Sequence, residues 1–173
     1  MRFSLKTGTT FLLVCVVAFG SVASVSAQRL KARLSGFQEV PAVSTPATGS
    51  FELTVTDSGL EFELSYSGLE ANVIAAHIHL GQRGVAGGVI AFLCGGGGKD
   101  PCPQSGTVTG TIAPADILGP AAQGLDPGEF EEALRAIRDG ATYANVHSEK
   151  YPNGEIRGQI GHGFPWRGIQ FDW

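Results

Sequence analysis

Alternation of apolar and polar residues with period two runs through almost the whole chain, and it limits the fold more than any other feature. In "GSFELTVTDSGLEFELSYSG" Phe51, Leu53 and Val55 alternate with Glu52 and Thr54, and after a turn at "DSG" Phe62, Leu64 and Tyr66 alternate with Glu61, Glu63 and Ser65. Successive side chains of a strand point to opposite faces, so each run is a half-buried strand and the two make a β-hairpin. The same pattern predicts strands at "RLKARLSG", "ANVIAAHIHL", "GGVIAFL", "SGTVTGTI", "ATYANVHS" and "GEIRGQI", about eight in all. One segment breaks it. "DPGEFEEALRAIRDG" spaces Phe130, Leu134 and Ile137 at helical intervals, with Asp126 as cap, Pro127 as start and Gly140 as stop. Strands at this spacing with one short helix in a crossover predict an all-β, immunoglobulin-like antiparallel β-sandwich or flattened barrel.

The ends of the chain stand outside this pattern. Residues 1–27 have the layout of an export signal, with Arg2 and Lys6 at the start, the apolar stretch "FLLVCVVAF", and small residues at Val25 and Ala27 before Gln28. Nine apolar residues are too few to span a bilayer, which takes about 20. The expected product is a secreted or periplasmic protein without a membrane span, running from Gln28 to Trp173 and long enough for one domain with a core. Without Arg2 and Lys6, 10 basic and 16 acidic residues leave a net charge of −6, which repels phosphate backbones and argues against a nucleic-acid partner. Two cysteines remain, Cys94 and Cys102, and an oxidising compartment predicts a disulfide closing "CGGGGKDPC", a loop to which the glycines give a flexible start. A pair of thiolate metal ligands is the other reading.

Three of the four histidines fall on predicted strands. His77 and His79 share one side of "ANVIAAHIHL", opposite Ile74, Ile78 and Leu80. On "ATYANVHS" His147 shares a side with Tyr143 and Asn145, opposite Ala144 and Val146. These are either polar residues on the wet face of a sheet or, if the two strands are neighbours, three imidazoles that converge on one ion. Imidazole suits copper and zinc alike.

The strings "LSGFQEVPAVSTPATGSFELTV", "GLEANVIAAHIHLGQRGVAGGVIAFL", "TGTI" and "YANVHSEKYPNGEIRGQI", in that order, resemble the chordin-domain (CHRD) family. The resemblance covers most of residues 28–160 and implies an extracytoplasmic all-β binding module whose ligand is a protein or a cell-surface component. The pair "HIH" and the later "VHSEK...GEIRG" also look like the copper-binding strands of copper-zinc superoxide dismutase. That likeness implies copper as cofactor, His77, His79 and His147 as its ligands, and Arg157 as an anion guide. No histidine lies between His79 and His147, so the bridging ligand and the histidines of a zinc site are absent. What the likeness then implies is a copper carrier or a weak redox catalyst.

The remaining features read as structural. Glu155 and Arg157 are expected as an exposed cross-strand pair, and Glu129 to Glu132 as charge suited to a helix N-terminus. No Ser-His-Asp set or phosphate loop stands out, because the glycine run Gly95 to Gly98, followed by Lys99, Asp100 and Pro101, lacks the helix of one. Residues 161–173 form an aromatic tail, with Phe164, Trp166, Phe171 and Trp173, expected as either an interaction strip or one more strand.

Overall fold

The computed structural model describes residues 28–162. The proposed export signal and all four aromatic residues of the tail lie outside the described residues. Eight strands form where alternation predicts them: β1 (Arg29–Ser35), β2 (Thr48–Thr56), β3 (Gly59–Ser67), β4 (Val73–Leu80), β5 (Val89–Cys94), β6 (Gly106–Ile112), β7 (Thr142–Ser148) and β8 (Ile156–Gln159). All pair antiparallel in one sheet of order β5-β4-β7-β8-β1-β2-β3-β6. Its two end strands, β5 and β6, approach one another, so the sheet curls into a flattened, nearly closed barrel. Alternate residues fill the interior: Leu30 and Leu34 from β1, Phe51 and Leu53 from β2, Leu60, Phe62 and Leu64 from β3, Ile78 from β4, Val146 from β7 and Ile156 from β8 are all buried.

At the seam the edge of β5 is covered, because Leu118 N–H donates to Ile90 O at 2.8 Å. The expected disulfide is formed between Cys94, at the end of β5, and Cys102, before β6. The glycine loop it closes is not slack. Gly95, Gly97 and Gly98 all have positive φ, and a Cβ on Gly96 or Gly97 would come within 2.4 or 2.7 Å of the Phe92 ring. The run is glycine because the backbone wraps one aromatic ring.

The helix α1 (Phe130–Arg138) lies in the crossover from β6 to β7 and buries Ala133, Leu134 and Ile137. It starts later than the sequence predicts. Gly128 sits at φ +85°, which a right-handed helix excludes, so Asp126 and Pro127 stay outside it. The stop at Gly140 is as expected: Gly140 N–H donates to Ile137 O and Ala141 N–H to Ala136 O, the bond pair of a Schellman motif.

Ile74 departs from the expected inner row of β4 and is 42% exposed. A register shift between Val73 and Ala75 turns the start of the strand over, as a bulge does.

Candidate metal centre

The pairing β4·β7 brings the histidines together. Register places His77 opposite Asn145, His79 opposite Tyr143 and Ala75 opposite His147, so that His77, His79, Tyr143, Asn145 and His147 share the outer side of the sheet. β8 extends this side with Arg157 opposite Asn145 and Gln159 opposite Tyr143. The side is polar as predicted, yet it is not wet. His77, His79 and His147 are only 7–8% exposed and Arg157 is 2% exposed.

Three loops cover it, each held by a side chain from the sheet. Residues 81–88 are held by Arg157 Nη2 to Gln82 O (3.1 Å) and Gln159 Nε2 to Gly81 O (2.9 Å). The segment after β1 is held by Asn145 Nδ2 to Glu39 Oε1 (2.5 Å), and the β7–β8 turn lies against the ring of His147. Glu155 and Arg157 are therefore not an exposed pair. Glu155 is fully buried and accepts hydrogen bonds from Ser148 Oγ, Thr45 Oγ1 and the Glu70 N–H, while Arg157 lies under the 81–88 loop.

The hydrogen bonds fix the tautomer of each ring. A carbonyl can only accept, so His79 Nδ1 carries the proton it donates to Gly87 O (3.0 Å), and His147 Nδ1 carries the one it donates to Pro152 O (3.0 Å). Neutral His147 then has a bare Nε2, and His77 Nδ1, 3.0 Å away, must be the donor to it. Bare nitrogens are left at His77 Nε2 and His79 Nε2, both buried and without a partner. Leaving a buried acceptor unsatisfied costs about 1–3 kcal/mol. Burial keeps the rings neutral: it lowers the pKa of His77 to about 3, helped by His147 and His79, and that of His79 to about 4 against the Gly87 bond. His147 is lowered too, by burial against the Pro152 bond.

This is a donor set that a metal ion fits. One ring nitrogen from each histidine lies within 4.8 Å of the others. Three ligands spread evenly around an ion at about 2.0–2.1 Å from each nitrogen lie about 3.5 Å apart, so the widest pair has to close by about 1 Å and the His77 Nδ1–H bond has to release the His147 Nε2 lone pair. Two of the three already have the outer hydrogen bond that orients a ligating histidine, at Gly87 O and Pro152 O. The third, His77, packs edge-on against Phe92 with centroids 4.3 Å apart.

Tyr143 and Arg157 lie behind His79. The Tyr143 ring stacks on His79 at 4.8 Å and 4°, and the Arg157 guanidinium carbon sits 3.4 Å from the Tyr143 centroid. At that height it excludes the imidazole from its own side, so ring and guanidinium take opposite faces of the phenol. Arg157 thus stands behind Tyr143 and does not touch the three imidazoles. Gly87 links the pair, since its N–H donates to Tyr143 Oη (3.1 Å) while its carbonyl holds His79. Only glycine fits there, because a Cβ would fall 1.6 Å from Leu80 O. Glu39 is the nearby carboxyl, and burial pushes it up to about 7 against the Asn145 bond and the charge of Arg157.

Sequence reasoning found the three histidines and missed their supports, Gly87, Pro152, Phe92 and Glu39. The first two act through backbone carbonyls and leave no side-chain signature. His162 lies elsewhere, accepting from Gln28 Nε2 at 2.8 Å.

The CHRD domain family model matches residues 30–160, which spans β1 to the end of β8. No curated protein and no solved structure matches the chain. The strings that carry the resemblance meet at this site: Glu39 from "EVP", His77 and His79 from "HIH", Asn145 and His147 from "NVHS", Glu155 and Arg157 from "GEIRGQ".

Proposed function

Because the chain belongs to the CHRD domain family, a family of binding modules, we propose that it is an exported module whose ligand includes a transition-metal ion, copper foremost, held by His77, His79 and His147. The observation that carries this is the pair of bare, buried ring nitrogens, His77 Nε2 and His79 Nε2, left over when every other proton in the cluster is assigned. A bound copper ion would supply a Lewis acid and a one-electron couple. The chain's part is to present three neutral imidazoles, to orient two of them through Gly87 O and Pro152 O, and to limit water by the 81–88 loop. With no fourth histidine beside the ion, a carrier or store fits these residues better than a dismutase. Arg157, 2% exposed and behind Tyr143, would attract an anion only over a distance.

Export is supported by the three-part start of the sequence and by the Cys94–Cys102 disulfide. Among the described residues no helix is long and apolar enough to cross a membrane. A protein or cell-surface partner has its own support in Phe37 and Val40, 75% and 41% exposed on the segment that follows β1.

Elemental analysis and native mass spectrometry of protein purified from its own compartment test the metal. One copper per chain is expected, and none in a variant lacking all three imidazoles. A chain that arrives empty and takes up no ion on titration overturns the reading.

A further inference from the structure

We infer that the three-histidine site selects monovalent over divalent copper, and that the buried guanidinium of Arg157 is the fixed charge responsible. This rests on the metal reading above and adds the oxidation state of the ion. The donor set is three neutral imidazoles with no carboxylate or thiolate among them, so the charge of the ion is not offset by its ligands. The rings are 7–8% exposed, and the cost of taking an ion out of water rises with the square of its charge. A divalent ion therefore loses about four times as much as a monovalent one.

Arg157 adds to that difference. It stands 3.4 Å from the centroid of Tyr143, which stands 4.8 Å from that of His79, so the guanidinium carbon is at most about 8 Å from the imidazole ring. Its place is fixed by Gln82 O at 3.1 Å and by the phenol face. None of the ion pairs among the described residues involves it. Arg83 contributes a second positive charge near Arg157, while the two acidic groups that act on Arg157 are the Tyr143 phenol and the Glu39 carboxyl, the latter bonded to Asn145 and held by burial at about half charge near neutral pH. The fixed charge of Arg157 repels each additional unit of charge on the ion.

The test compares Cu(I), titrated under reductant in competition with a chromophoric Cu(I) chelator, with Cu(II) and Zn(II), on the mature chain with its disulfide intact. The expected result is Cu(I) bound at least tenfold more tightly than either divalent ion. Arg157→Gln should lower the Cu(I) to Cu(II) affinity ratio about tenfold, seen equally as a fall in the reduction potential of the bound ion. Arg157→Lys, which keeps the charge, should retain most of the ratio. Divalent ions bound as tightly as Cu(I) would overturn the inference in the wild-type protein alone. So would an unchanged ratio in a folded Arg157→Gln protein. If no ion binds, or binding survives loss of His79, the three-imidazole reading itself fails.

Discussion

At the scale of the residue, His79 shows what the alternation of a strand can and cannot tell. Its side was legible, because period two puts His77 and His79 on one face and His147 on the matching face of β7. Its burial was not legible. Wet and loop-covered faces of a sheet read alike in sequence, and the cover is held by carbonyls of Gly81, Gln82, Gly87 and Pro152. A histidine on a wet face would be replaceable at little cost. At 8% exposure, stacked on Tyr143 and bonded to Gly87 O, it is not. His79→Ala should destabilise the metal-free protein by about 1–3 kcal/mol, losing a hydrogen bond and a packed ring while relieving one unpartnered nitrogen. Urea unfolding of the metal-free protein measures this. A midpoint equal to the wild type would show that the ring is free in solution and that the cover does not close.

At the scale of the element, the strands were legible to within a residue or two, since each carries its own apolar row. Connections were harder. The glycine run reads as slack, yet it is a cradle for Phe92, and Phe92 in turn packs on His77. Two perturbations of this one loop should therefore part company. Replacing both Cys94 and Cys102 with Ala, which leaves no free thiol to compete for the ion, should cost about 2–3 kcal/mol on the loop-entropy model and leave ion affinity nearly intact, because the backbone around Phe92 is kept. Gly96→Ala leaves the disulfide in place but sets a Cβ 2.4 Å from the Phe92 ring. The ring has to move, and His77 with it, so ion affinity should fall about tenfold or more at a stability cost of about 1–3 kcal/mol. Ion titration of the cysteine-free protein and of the Gly96→Ala variant separates the two. Equal losses of affinity in both would mean that the loop acts only as a tether.

At the scale of the whole molecule, the site leaves its mark on how stability depends on pH. Unfolded, each of the three histidines titrates near 6.5, whereas folded His77 and His79 do so at about 3 and 4 and His147 below its ordinary value. Between pH 4 and 6.5 the unfolded chain binds more protons at these rings. Their contribution is complete above pH 6.5 and is lost as pH falls through that window. Glu39 runs the other way. Its carboxyl titrates at about 7 folded against 4.5 unfolded, so its contribution is complete below pH 4.5 and is lost as pH rises through 7. The rings outweigh the one carboxyl in the shared window, leaving a net excess of about one proton on the unfolded chain near pH 5, or about 1.4 kcal/mol per pH unit there, and less towards pH 6.5. The two slopes balance near pH 7, where the unfolded rings have lost most of their protons and Glu39 is losing its own. The metal-free protein should thus be most stable near pH 7, falling steeply towards acid and gently towards pH 8. Replacing Glu39 with Gln should remove the alkaline fall and steepen the acid one, because the opposing slope of its carboxyl is lost on both sides. Denaturant midpoints at half-unit steps from pH 4 to 8 test both slopes, and a profile that is flat between pH 5 and 6.5 would mean that the imidazoles are not buried as neutral rings.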